Sequence, residues 1–224
     1  MDTFSLSRRM AAESAGTGLL VAAVVGSGIM ADRLTDDVAL ALLCNAIATG
    51  AALAVLISVL GPLSGAHFNP AVSLAFAFRG ELPMGELAGY VTFQVLGGLA
   101  GTMVAHAMFD LPILEVGTTA RSGWPQWFSE GVATFGLVAL ILIAVRVARP
   151  NVAWLVGLYI TAAYWFTSST SFANPAVTVA RAFTDTFAGI RPTDVPAFVI
   201  AQLAGALLAL IAAGWLLRPA TRAV

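Results

Sequence analysis

The sequence predicts an all-α membrane protein, with six transmembrane helices and two re-entrant half-helices arranged as an inverted repeat of two three-helix halves. Three observations predict it. Of the 224 residues, 59% are hydrophobic and 10% charged, and the mean hydropathy is +0.89, well above that of a soluble domain. Apolar runs of about 20 residues, the length that crosses a bilayer, recur six times. The phrase Asn-Pro-Ala occurs twice, at Asn69-Pro70-Ala71 and Asn174-Pro175-Ala176, each time before an apolar run only about half that length.

Taken in order, the full spans are drawn at 10–31, 38–60, 85–109, 130–148, 152–170 and 195–217, with half-helices at 69–79 and 174–183. Arg8-Arg9 before the first run could suggest a leader. That run is long, carries Glu13 and lacks a small-residue cleavage site, so it reads as the first span. Turn chemistry separates the rest: Asp36-Asp37, Gly61-Pro62, Gly80 with Pro83, Pro150-Asn151 and Pro192-Thr193. The longest connection, 110–129, holds Trp124, Pro125 and Trp127, which fits aromatics at the membrane–water interface. All 11 basic residues are Arg; seven fall on the side of the N-terminus and four on the other, which places both termini in the cytoplasm. His106, near a span end, reads as an interface residue.

The half-helices carry the argument toward function. Asn69 and Asn174 are good N-caps, and Pro70 and Pro175 sit at a first helical position that needs no donor. A helix that starts inside the bilayer has backbone groups that lipid cannot satisfy, so it must be buried in protein or line a watery cavity. Two such starts facing each other make a pore.

Other classes are disfavoured. The single Cys44 excludes an internal disulfide, and two His without partners at ligand spacing leave no metal site and no cofactor. No basic stripe exists for nucleic acid. His67 has no nucleophile or acid beside it, so the chain is not read as an enzyme.

Landmarks recur between the halves. Glu13 and Thr17 match Glu130 and Thr134, the Asn-Pro-Ala-Val stretches match each other, and Gln94 with Gly97 matches Gln202 with Gly205, at separations of 117, 105 and 108 residues. Three spans per copy is an odd number, so the second copy lies upside down and the site falls near the midplane. The first repeat covers about 10–109 and the second about 130–217, within one channel domain spanning 1–224. Gly97-x-x-x-Gly101 and Ala201-x-x-x-Gly205 read as helix-packing pairs.

The doubled Asn-Pro-Ala box, the Glu in the first span of each half and the Gln-x-x-Gly in the third resemble the aquaporin, or major intrinsic protein, family over residues 10–217. The resemblance implies an aquaporin-like bundle, a homotetramer with one pore per subunit, and passive passage of small neutral solutes. It implies that Asn69 and Asn174 donate to solute at the pore centre, where two positive helix ends refuse cations. Glu13 and Glu130 would then support the re-entrant loops rather than relay protons, and His67 would shape the cytoplasmic vestibule.

Carried over by position relative to each Asn, the family's selectivity filter falls on Thr49, Ala162 (Ala163 if the loop shifts register), Ser171 and Val177. The family has a bulky aromatic first and an Arg last. Here neither is present, so the expected filter is wide and nearly uncharged, passing water together with larger solutes such as glycerol, urea or arsenic and other metalloid hydroxides. The set is similar to a bacterial branch associated with arsenic resistance, which implies an inner-membrane location. Alternatives are an ion- or weak-anion-conducting pore, a water-selective channel, and an occluded structural membrane protein. Arg181, one turn beyond Val177, either overhangs the vestibule or is diverted to Asp185 or to the interface.

Overall fold

A computed structural model describes residues 4–218. Among them are eight α-helices: α1 Leu6–Leu34, α2 Val38–Ser64, α3 Pro70–Phe78, α4 Met84–Met108, α5 Trp124–Val147, α6 Val152–Phe166, α7 Pro175–Arg181 and α8 Val195–Leu216. α3 and α7 are the half-helices, and the other six are the longer helices of the bundle. Arg222, counted in the charge asymmetry above, lies outside the described residues.

Five helices meet the length and hydropathy needed to cross a membrane, and α6 is the exception. Its 15 residues rise only about 22 Å against a hydrocarbon core of about 30 Å. A 3-10 turn at Arg149–Asn151 precedes it, and the chain leaves the helix at Thr167 to begin the second re-entrant loop, four residues before the expected end. α2 runs on past Pro62 to Ser64 and stops at Gly65, which takes a left-handed φ of 93°. α5 starts at Trp124, with Pro125 in its first turn, so the long connection is shorter than expected, 109–123.

Packing repeats in each half: α1 lies on α2 and α4, as α5 lies on α6 and α8, while α2 against α6 joins the halves. The small-residue pairs act at these contacts. A Cβ on Gly97 would stand 2.1 Å from the Ser14 carbonyl oxygen, and one on Gly205 would stand 2.3 Å from that of Gly131. Outward faces carry exposed Leu, Ile, Val, Phe and Trp, among them Trp154, Ile200, Ile211 and Trp215, the surface a lipid solvent demands.

We call the side on which the described chain starts and ends the termini face. The opposite, loop face is closed by two connections that bond each other: Glu115 N donates to Phe183 O, Gly117 N to Ala182 O and Arg191 N to Thr119 O. His106 is no interface residue. It is fully buried, with Nδ1 against the Pro112 carbonyl and Nε2 2.7 Å from Thr184 Oγ1, so it ties α4 to both connections. Asp185 accepts from the Thr118 amide and hydroxyl rather than from Arg181. Those two bonds, the amide's first, hold its pKa below the ordinary carboxylate value, so this latch contributes stability above that value and loses it as pH falls through the lower folded one. Hydrogen exchange at the Thr118 amide, relative to its neighbours, is expected to accelerate as pH falls below the ordinary carboxylate range, and Asp185→Ala should abolish that dependence.

Candidate functional site

Each half-helix is started by its own asparagine. Asn69 Oδ1 accepts from Ala71 N at 2.9 Å; Asn174 Oδ1 accepts from Ala176 N at 3.0 Å and Val177 N at 3.3 Å. The amide nitrogens cross to the other repeat: Asn69 Nδ2 donates to Ala173 O, and Asn174 Nδ2 to Phe68 O, both at 2.8 Å. Each NH2 has two donors, and the seam uses one of them. Reading both asparagines as free donors overlooked that seam.

The loops leading into these caps adopt backbone conformations that are costly for L residues. Ala66, Phe68, Thr170, Ser171 and Ala173 all have φ between 47° and 61°, at of order 1–3 kcal/mol each. One buried carboxylate in each half holds them. Glu13 accepts from Ser64 Oγ (2.7 Å), His67 N (3.0 Å), Phe68 N (2.7 Å) and Gln94 Nε2 (2.8 Å). Glu130 accepts from Ser169 Oγ (2.6 Å), Phe172 N (2.9 Å), Ala173 N (2.9 Å) and Gln202 Nε2 (2.6 Å). The glutamine amides then reach Ser73 and Thr178 on the half-helices. Each carboxylate oxygen thus accepts from two donors.

Around the asparagines lies a cavity of about 60 Å³. Its wall follows helical periodicity: Leu20 and Val24 from α1, Thr49, Leu53 and Ile57 from α2, Leu137 and Ile141 from α5, and Val156, Ile160 and Tyr164 from α6. His67 lines the termini side of the asparagines, its Nδ1 3.1 Å from Ser73 Oγ.

Three of the four sequence-predicted filter positions, Thr49, Ser171 and Val177, line this cavity. Ala162 does not: it is exposed on the outer side of α6, and Ala163 is buried but outside the lining. The α6 stripe that faces inward runs 156, 160, 164; counting back 12 from Asn174 missed it because Tyr164 lies only 10 residues before Asn174, and a two-residue offset on a helix points to the opposite side. The residue in place is Tyr164, whose hydroxyl is 3.2 Å from Thr49 Oγ1. An aromatic side chain thus borders the cavity beside Thr49, where the expected set had only Ala162.

Arg181 supplies the charge. It is 2% exposed, lines the cavity, donates from Nε to Ala188 O and places its guanidinium carbon 3.4 Å from the Phe172 ring centroid. Among the described residues no carboxylate forms an ion pair with it. Beside it the Ser171 hydroxyl is buried and has no protein partner. Sequence reasoning had Arg181 as a vestibule candidate; only the fold shows the loop that turns it inward. Tyr164 had no local signal at all.

A six-crossing bundle with two opposed half-helices, joined through their caps around a lined cavity, defines a membrane channel. The family model described as major intrinsic protein matches residues 1–151, and the chain belongs to that family, a channel and not an enzyme. It is 66% identical over 220 residues to aquaglyceroporin AqpS of Rhizobium meliloti (strain 1021), covering 98% of this chain and 94% of that one. It is 32% identical to aquaporin NIP2-3 of Zea mays, over 79% of this chain and 60% of the maize protein. The X-ray structure of the aquaglyceroporin from Plasmodium falciparum superposes with a TM-score of 0.72 at 22% identity, covering 92% of this chain and 95% of that one.

Proposed function

We propose that the protein is a passive conduit for small uncharged solutes larger than water: glycerol first, as the name of the Rhizobium relative suggests, with urea and protonated metalloid hydroxides such as arsenite in the same class. The observation that carries this reading is Val177, an aliphatic side chain in the cavity wall where the resembled family places an Arg. The wall is also two-sided, with the hydroxyls of Thr49, Tyr164 and Ser171 beside Leu53, Val156, Ile160 and Val177. A polyol has that same pairing of hydroxyl edge and carbon backbone.

In this reading the constriction on the loop face is formed by Thr49, Tyr164, Ser171, Val177 and Arg181, and the free N–H of Asn69 and of Asn174 meets the solute at the centre. The guanidinium of Arg181 opposes cations. The same charge, without a carboxylate partner, favours a weak-anion conductance as the second reading; a voltage-clamp record whose reversal potential follows the anion gradient would establish it, and a flat record would remove it. The whole chain, 1–224, would act as one channel unit in a homotetramer in a bacterial inner membrane, both termini cytoplasmic.

The test is stopped-flow light scattering on proteoliposomes with water, glycerol, urea and protonated arsenite. Val177→Arg is expected to lower glycerol passage about tenfold more than water passage, since it adds bulk and up to five donors at the narrowest point. Equal loss of both would remove Val177 from the constriction. Vesicles no faster than empty ones in every osmolyte would mean an occluded pore.

A further inference from the structure

The two repeats place an aromatic pair at each mouth of the cavity, and the difference between the pairs is informative. On the termini face, Tyr90 donates its hydroxyl to Ser64 O at 2.9 Å, and its ring packs 5.6 Å from that of His67. At the corresponding places on the loop face stand Ser169, Phe172 and Phe198. Phe198 is fully buried and packs on Phe172 at 5.3 Å, as Tyr90 packs on His67, but it has no hydroxyl.

A residue from outside the repeat fills that place. Arg121, on the connection between α4 and α5, brings Nη1 to 3.5 Å from Ser169 O and from Thr170 Oγ1. Its Nε donates to Gly189 O at 2.8 Å, and its backbone N–H donates to Asp194 Oδ2 at 2.8 Å. Its guanidinium carbon lies 5.0 Å from the Phe172 centroid. Arg121 and Arg181 therefore bond adjacent carbonyls, Gly189 and Ala188, and share one aromatic ring. Two guanidiniums on one ring without an intervening carboxylate repel each other and are each attracted to the ring face. Such an arrangement persists only where backbone acceptors fix both.

We infer that Arg121 is a positioning residue for selectivity: by fixing Phe172 and the 188–189 carbonyls it keeps the Arg181 guanidinium folded over the ring, against the wall of the cavity. Without that clamp the long Arg181 side chain, whose Nη groups hydrogen-bond no protein atom among the described residues, extends across the opening. The channel then narrows for polyols while remaining open to water. The inference rests on the reading that Arg181 borders the constriction.

The experiment is a double-mutant cycle in proteoliposomes, with wild type, Arg121→Met, Arg181→Met and the double variant, reading the ratio of glycerol to water permeability at matched protein content. Arg121→Met is expected to lower the ratio about fivefold, the scale of one cation–π and one hydrogen-bond contact. In the Arg181→Met background the same change is expected to do nothing, because the group it positions is gone. An Arg121 effect that persists unchanged in that background, or that reduces glycerol and water equally, would overturn the inference and make Arg121 a loop brace only. Should Arg121→Met not accumulate, Arg121→Lys, which keeps the charge but loses the fork, takes its place in the cycle with the same expectations. If Arg181→Met alone leaves the ratio unchanged, it is the constriction reading that fails.

Discussion

Glu130→Leu is expected to destroy the channel, with a loss of about 3–5 kcal/mol of stability and no measurable flux. The leucine leaves Ser169 Oγ, Phe172 N and Ala173 N without their acceptor, and takes one of the two acceptors of Gln202 Nε2, in a core that lipid surrounds. It also releases a loop that holds Ser171 and Ala173 at positive φ, so strain that the carboxylate contained becomes available for unfolding. Glu130→Gln should fall between, since one oxygen still accepts while its new NH2 confronts two donors. Thr134→Val is the control: the Thr134 hydroxyl is buried without a partner, so its loss is expected to be neutral or mildly stabilising. Thermal melting of detergent-solubilised protein, followed by flux in vesicles, reads all three. A Glu130→Leu protein that melts within a few degrees of wild type would show that the loop holds itself.

Gly101→Ala is expected to be nearly as damaging, although it adds one methyl group. Its Cβ would sit 2.1 Å from the Gly18 carbonyl oxygen and 3.0 Å from the Gly18 Cα, and backbone cannot rotate out of the way as a side chain can. α1 and α4 must separate, at about 1–3 kcal/mol for the strain alone. The separation also pulls Gln94 on α4 from Glu13 on α1, a 2.8 Å bond, so the first re-entrant loop loses part of its brace. Gly85→Ala, on the same helix with nothing within 4 Å of the added carbon, should leave melting and flux unchanged. Matching behaviour of the two variants would remove the close approach as a requirement.

What the sequence disclosed follows the range over which its signals act. The helix starts at Asn69 and Asn174 are local, because an Asn-Pro pair caps and begins a helix without reference to the rest of the chain. Glu13 and Glu130 stood out because an ionisable group in an apolar run demands a partner. The partner, the backbone of the re-entrant loop, came only from the resemblance to the family. Tyr164 stayed hidden because the inward stripe of α6 depends on where that helix ends, and a shift of two residues moves the stripe to the opposite side. His106 reads as an interface residue until the connection bearing Thr184 folds over it, and Arg121 carries no signal beyond its charge until Gly189 and Phe172 come beneath it. Long-range pairings in irregular segments leave no periodic trace in a sequence.

The bonds that join the two half-helices have a consequence for biogenesis. Asn69 finds its acceptor 104 residues later, and Asn174 finds its own 106 residues earlier. Neither half carries the means to finish its own centre, however well its three spans insert. During synthesis the first re-entrant loop must wait, with its cap amide unpaired, until most of the chain has entered the bilayer. The centre of the cavity is therefore among the last features to form.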